Sequence, residues 1–348
     1  MKIMHLLYSN KFSGAENVVC QIISMFKDNE DMEFVYCSQN GSIKNSLEER
    51  NINFNLVNKF SISDIKRVVK TEKPDIIHAH DMRASFYGAL CCGNIPLISH
   101  IHNNNFNSRR FSLKALLYMF AARKAKHIFW VSTSSFEGYK FHNYLKNKSS
   151  ILYNVINIDL LKEKANKDLK HYNYDIIYLG RLTYQKNPQR LLKILEKILK
   201  LRPQTKIAIV GTGDLEKEIK NEIETSEKLK NIDFLGFSNN PYRILSDSKI
   251  MVMSSRWEGT PMCALEAMSL GVPIVSTPVD GLKDLIENGK TGYLSNNDDE
   301  LVNCIFKILE DKNLQNYLSD NTLAKIKKTM NIKLYKKEIL KQYLNAKL

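Results

Sequence analysis

Short apolar runs alternate with amphipathic segments along the whole chain. In the first half the runs fall at 3–8, 34–37, 76–79, 97–100, 128–131 and 151–153. Each is too short for a buried helix and continuous enough to be covered on both faces, as parallel strands are. Segments between them, such as 16–26 and 62–71, carry apolar residues at helical spacing. A polar stretch at 166–173 has no strong period and reads as a linker. A second alternation follows, with strands expected at 175–179, 206–210, 233–235, 249–253 and 273–275. Repeated βα units bounded by Gly and Pro predict an α/β protein with two doubly wound parallel sheets. Open parallel sheets bind ligands at the C-terminal ends of their strands, so the expected ligand site is a cleft between the two sets of ends.

The chain has 348 residues, enough for two such domains. Its 43% hydrophobic and 25% charged residues are ordinary for a globular protein. No apolar run approaches the roughly 18 residues that suggest a membrane-spanning helix. The opening residues 1–8 read as a first strand rather than a signal segment. Six cysteines at 20, 37, 91, 92, 263 and 304 form no C-x-x-C pair, so reduced thiols and a cytoplasmic setting are expected.

The net charge of +14 leans toward the first half, where residues 1–170 hold 24 basic and 15 acidic side chains. Residues 106–127 contain Arg109, Arg110, Lys114, Arg123, Lys124 and Lys126 and no acid. The interspersed Phe111, Leu113, Leu116, Leu117, Tyr118 and Phe120 permit a helix with a broad apolar face. Two readings stand: a core-packing helix with a basic edge, or a surface that rests on anionic lipid headgroups. No nucleic-acid-binding motif appears, and nucleic acid is not an expected partner. The last 26 residues hold eight Lys against Glu338, with Leu334, Ile339, Leu340, Tyr343 and Leu344 on a helical face.

The densest candidate chemistry is the run from Glu258 to Glu266, with Gly259, Thr260, Pro261 and Met262 after the first carboxylate. Pro261 suits the first turn of a helix, whose outward amides make an anion seat. Glu258 is expected on the loop rim, and Glu266 about two turns along the helix. A carboxylate beside a phosphate seat suits a ligand bearing both phosphates and hydroxyls. Arg181 and Lys186 follow another strand and Gly180, where two cations can neutralise a diphosphate. Gly14 follows the first strand and permits close backbone approach to a ligand. His78, His80, His100 and His102 crowd the ends of two strands. Their H-x-H spacing admits a metal reading, but imidazoles beside a cleft also serve as hydrogen-bonding or acid/base groups, and no metal site is expected.

These segments together resemble the retaining family 4 glycosyltransferases of the GT-B fold. The resemblance rests on residues 254–294, with the E-x7-E element at Glu258 and Glu266, on 178–187, on Ile209-Val210-Gly211-Thr212-Gly213, and on Ser13-Gly14-Ala15-Glu16. The family usually has two glycines where this chain has Ser13-Gly14, and Asn-Gly where it has Asn154-Val155. The resemblance implies an N-terminal acceptor-binding domain at 1–168, a donor-binding domain at 169–325, and a C-terminal helix at 326–348 that crosses back to the first domain. It implies that Arg181 and Lys186 hold the donor diphosphate and that Glu266 accepts from the ribose hydroxyls. Glu258 and His102 would face the donor sugar, with backbone at Gly14, Gly211 and 259–262 against sugar and phosphate, and the base near Phe237. The nucleotide sugar is then a substrate, and no cofactor is expected. No D-x-D element occurs, so metal-independent catalysis is expected.

The expected function is transfer of a sugar from a nucleotide donor, UDP-linked, to a glycan or lipid-linked acceptor. The setting would be surface polysaccharide assembly, such as capsule or lipopolysaccharide, at the inner face of the cell membrane. Two alternatives share the architecture: a sugar-nucleotide epimerase, and a non-catalytic subunit that binds a partner enzyme.

Overall fold

The structure, a computed structural model, describes every residue except Asn104 and Asn105. Its residues form two compact units, Met1–Asn154 with Ile332–Leu348, and Val155–Asn331. The first unit contains strands β1 (Lys2–Leu6), β2 (Glu33–Ser38), β3 (Phe54–Leu56), β4 (Ile76–His80), β5 (Leu97–Ile101), β6 (His127–Trp130) and β7 (Ser149–Ile151). The second contains β8 (Tyr174–Leu179), β9 (Ile207–Val210), β10 (Ile232–Gly236), β11 (Ser248–Met253), β12 (Ile274–Ser276) and β13 (Gly292–Leu294). The sheets run β3-β2-β1-β4-β5-β6-β7 and β10-β9-β8-β11-β12-β13, and the pairings are parallel. Both are doubly wound, and the strand order reverses between β1 and β4 and between β8 and β11.

In the first unit, register pairs His5 with His78 and His80 with His100. Side chains alternate between faces of a strand, so the histidines at 5, 78, 80, 100 and 102 share one face. On the opposite face Met4, Leu6, Ala79 and Ile101 pack with Ala115, Tyr118 and Ala121. The C-terminal helix Ile332–Lys347 buries Tyr335, Ile339 and Tyr343 in this unit. Tyr343 Oη lies 2.8 Å from His78 Nδ1. This helix begins six residues later than expected, because the helix Lys312–Thr329 belongs to the second unit. Of its expected apolar face, Leu334 and Leu344 are exposed.

The helix Leu113–Lys124 is capped by the Ser112 hydroxyl, which accepts from Ala115 N. It buries Ala115, Tyr118, Ala121 and Ala122. Phe111, Leu113, Leu116, Leu117 and Phe120 are exposed, Leu113 by 73%. Their side chains therefore do not form the core-packing face that was one reading of the segment.

In the second unit, helix Pro188–Leu201 buries Leu191, Leu192, Ile194, Leu195 and Ile198 against the sheet. Asn187 precedes it in a left-handed conformation (φ 54°), and Pro188 takes the first helical position. The helix Ile158–Lys167 also lies in this unit, its first turn capped by Asn157. The Asn240 amide donates to Lys164 O at 2.8 Å. The units change at 154/155, ahead of the polar stretch at 166–173. Two three-residue strands went unrecognised in the sequence. β13 opens on Gly292, where a Cβ would stand 2.1 Å from Ile274 O, so only glycine allows that pairing.

Candidate active site

The loops after β8 and β11 interlock at the point where the second sheet reverses. Arg256 N donates to Gln185 O at 2.8 Å, and Gln185 Nε2 donates to Trp257 O at 3.0 Å. The Ser254 hydroxyl donates to Lys186 O and Asn187 O. The Arg256 guanidinium lies over the Tyr184 ring and donates to Asn187 Oδ1. These bonds hold Lys186 and Glu258, 72 residues apart in sequence, at Nζ–Oε1 2.6 Å. Both are nearly sealed from solvent, at 10% and 4% side-chain exposure. The same carboxylate oxygen accepts from the Ser255 hydroxyl at 2.5 Å. Burial opposes the Lys186 charge, but Cys263 and Glu258 beside it outweigh that and hold its pKa above the ordinary lysine value.

Glu258 is thus buried and paired instead of standing on the loop rim. Its backbone N–H donates to Asp280 Oδ2 at 3.0 Å. A Cβ on Gly281 would stand 1.8 Å from Gly259 O, so this glycine lets the loop after β12 press against residues 259–260. Pro261 is the N-cap of helix Met262–Ser269, which places Glu266 one turn along it instead of two. Glu266 is half-buried. Burial raises its pKa to about 7, against the opposing influence of Lys164, the Tyr242 hydroxyl and Lys186. Gly211 meets the end of β8 so closely that a Cβ would lie 1.9 Å from Gly180 O. Arg181 is exposed, and the Tyr178 hydroxyl fixes its carbonyl at 2.9 Å. Phe237, after β10, is 64% exposed.

The first unit gathers buried imidazoles and carboxyl groups at its reversal point. Gly14 is exposed at the start of helix Gly14–Met25. The Ser13 hydroxyl donates to the buried Glu16 carboxylate. Asp81 Oδ1 accepts from the backbone of His102 and Asn103 at the end of β5. Burial pushes Asp81 up to about 6. His5 and His102 are pushed down to about 3 by burial, and His78, His80 and His100 fall well below the ordinary value for the same cause.

A family model for "Glycosyltransferase Family 4" matches residues 12–160, and one for "Glycosyl transferases group 1" matches residues 161–325. The chain belongs to this glycosyltransferase family. It is 26% identical to the UDP-Gal:alpha-D-GlcNAc-diphosphoundecaprenol alpha-1,3-galactosyltransferase of Escherichia coli, over 95% of this chain and 94% of that protein. It is 32% identical to the O-antigen biosynthesis glycosyltransferase WbnH of Escherichia coli, over 41% of this chain and 39% of WbnH. Both are named as transferases and neither as an epimerase. In fold it matches Anabaena HepE in complex with UDP-glucose, with a TM-score of 0.86 at 22% identity over 99% of this chain and 100% of that one. Two Rossmann-like domains of this kind make up the GT-B fold.

Within this glycosyltransferase, the second unit brings Lys186 into contact with Glu258 and puts Glu266 and Arg181 within electrostatic reach of Lys186. Gly14 and His102 belong to the first unit. Sequence reasoning missed Ser255, Gln185 and Asp280, which hold Glu258, and His5, which joins the other histidines. His5 carried a usable signal: a titratable residue inside the apolar run at 3–8.

Proposed function

We propose that this protein is a retaining, metal-independent transferase that moves a sugar from a UDP-linked donor to a lipid-linked glycan at the inner face of the membrane. The observation that carries the reading is the buried Lys186–Glu258 pair at the switch point of the second sheet, beside the start of helix Met262–Ser269. That helix start favours an anion. In this reading the second unit holds the donor. Arg181 and Lys186 balance the diphosphate, Glu266 accepts from the ribose, and the backbone at 259–262 and Gly211 lies against phosphate and sugar. Glu258 meets the sugar hydroxyls, and Phe237 borders the base. The first unit takes the acceptor, with Gly14 and His102 at the ends of its strands.

The transfer breaks the bond between the anomeric carbon and the diphosphate oxygen. The acceptor oxygen bonds the same face of that carbon, and its proton passes to the departing phosphate. Cations fixed beside the leaving group stabilise its growing charge. UDP-linked chemistry is supported by the Escherichia coli relative's name and by the UDP-glucose complex of HepE. No helix among the described residues is long and apolar enough to cross a membrane. Membrane contact instead rests on the exposed Leu113, Leu116, Leu117 and Phe120 beside Arg123 and Lys124.

The test offers a panel of UDP-sugars with a synthetic lipid-diphosphate GlcNAc acceptor, in chelator, and reads product by chromatography and anomeric configuration by NMR. Retained configuration without added metal is expected, with turnover lost in Arg181→Ala and Glu266→Ala. An inverted product, activity only on added manganese, or full activity in both variants would overturn the reading.

A further inference from the structure

Asp81 stands where β4 ends and the helix Asp81–Cys91 begins, at the reversal point of the first sheet. Open parallel sheets bind their ligands at this end of the strands. The Asp81 backbone is left-handed, at φ 66°. Few residues other than glycine take that conformation, and one that does is strained unless its surroundings hold it. Two sets of contacts hold it here. The Ser85 hydroxyl donates to Asp81 O at 2.8 Å. Asp81 Oδ1 accepts from His102 N at 2.9 Å and from Asn103 N at 3.2 Å, which ties the turn after β4 to the end of β5. The second carboxylate oxygen is not used in this way. Asp81 Oδ2 has no hydrogen-bond partner among the described residues. It is also not one of the sealed orphan atoms, which include both His100 nitrogens and His102 Nδ1. Asp81 is half-buried, and Oδ2 is the oxygen that opens to the surface.

The turn itself does not require a carboxylate. Asparagine also tolerates a positive φ, and its one amide oxygen has the lone pairs to accept both backbone N–H groups. Asparagine would also avoid the cost of holding a charge out of water. Burial pushes Asp81 up to about 6, and the Glu16 carboxylate adds to the rise against the two backbone N–H groups and Lys114. The group is still ionised at neutral pH. The chain therefore keeps a partly desolvated carboxylate of which the fold uses one oxygen. The other is an open, charged acceptor, the partner that makes the stronger kind of hydrogen bond with a hydroxyl.

We propose that Asp81 is an acceptor-binding residue whose Oδ2 accepts a hydrogen bond from a hydroxyl of the acceptor sugar. The proposal rests on the proposed function, in which the first unit takes the acceptor. The backbone bonds at Oδ1 hold the carboxylate before the ligand arrives, so little side-chain freedom is lost on binding. The charge also gives selectivity. A carboxylate attracts hydroxyls and repels a diphosphate, so Asp81 reads the sugar end of a lipid-linked acceptor and disfavours its phosphates. Asp81 takes no proton in this role; the proton of the reacting hydroxyl still passes to the departing phosphate.

The test compares Asp81→Asn and Asp81→Gly in the full chain at pH 7, with the synthetic lipid-diphosphate GlcNAc acceptor and UDP-sugar donors. Asp81→Asn keeps an oxygen for His102 N and Asn103 N but replaces the second oxygen by a donor. Asp81→Gly removes both oxygens and suits the left-handed backbone. Both should raise the acceptor KM by about 10- to 100-fold, the scale of a lost hydrogen bond to a charged group, with the donor KM within about twofold. Calorimetry with the acceptor alone should show the same loss of affinity. Urea unfolding of the first unit should place Asp81→Asn at or above the native midpoint, because the charge is gone and the tie to β5 remains. Native acceptor affinity in Asp81→Asn, with a loss only in Asp81→Gly, would make the tie to β5 the whole role and overturn the proposal. So would a parallel rise of both KM values, or a lower unfolding midpoint in Asp81→Asn. If the native protein binds the acceptor and transfers to it, and Asp81→Asn does so equally well, the assignment of Asp81 alone fails. If the native protein neither binds nor transfers to it, the functional reading fails and takes this proposal with it.

Discussion

Removing the Glu258 carboxylate strands a buried cation. Lys186 Nζ has Glu258 Oε1 at 2.6 Å and the Cys263 sulfur at 4.0 Å. Burial already raises the Cys263 thiol to about 11, so at neutral pH it supplies no charge. Breaking a buried pair from one side costs about 3–5 kcal/mol. At roughly 2–4 °C per kcal/mol for a domain of this size, Glu258→Leu should lower the Tm of the second unit by about 6–20 °C. Replacing both partners removes the uncompensated charge, so Lys186→Met/Glu258→Leu should recover to within about 1 kcal/mol of the native protein. Urea unfolding can follow each unit separately, because Trp130 lies in the first and Trp257 in the second. The pH dependence has a definite sign. A lysine raised in the folded state stabilises fully below its unfolded pKa, and that contribution is lost only as pH rises through the raised value. The pair should therefore hold through neutral pH and fail in the alkaline range. A loss below about 1 kcal/mol in Glu258→Leu, or a double variant no more stable than the worse single one, would refute this account of the pair.

Glu266 titrates near 7, so UDP affinity should rise with pH between about 6 and 8 as the accepting carboxylate forms, and Glu266→Gln should flatten that profile in calorimetry. Its linkage to stability runs the other way: the folded state holds the proton more tightly, so this contribution declines from the ordinary carboxylate range up to about 7, and Glu266→Gln should remove the slope. Gly281→Ala forces a methyl against Gly259 O and should cost about 1–3 kcal/mol with weaker UDP binding, whereas unchanged Tm and affinity would discount the close approach. Leu116→Glu/Phe120→Glu should abolish flotation with phosphatidylglycerol vesicles while stability stays within about 0.5 kcal/mol per site, because both side chains are exposed; unaltered flotation would place any membrane contact elsewhere.

Most strands were legible because a strand covered on both faces leaves a continuous apolar run, as in Ile-Met-Val-Met at 250–253. β3 was not, since Phe-Asn-Leu has too few residues to show a period. The loop after β11 was legible as chemistry, but its geometry was not. Glu258 reads as a surface loop carboxylate until the loop after β8 covers it, and that contact spans 72 residues. The two-turn placement of Glu266 failed because the helix begins only at Met262, four residues before it, and the stretch from Glu258 to Pro261 is loop. The exposed face of Leu113–Lys124 illustrates a different limit. Apolar residues at helical spacing show that a face exists, but which side meets the core depended on Ala115, Tyr118 and Ala121 fitting the sheet.

The two sheets share one strand order through their first six strands and place different kinds of charged and polar groups at the same topological position. At the ends of β1, β4 and β5 stand neutral imidazoles and an aspartate raised to about 6. At the ends of β8 and β11 stands a charge pair that is neutral as a unit. A diphosphate entering the second site would bring more negative charge than this pair can balance, because Glu258 already occupies the Lys186 ammonium. Among the described residues Arg181 makes no ion pair, and it is exposed beside that pair. If the second unit holds the donor as proposed, Arg181 is the cation whose charge is available to it, because Lys186 is already paired with Glu258. Arg181→Ala should therefore act on donor affinity with the fold intact, whereas Lys186→Ala should act on affinity and stability together, leaving a buried carboxylate unpaired.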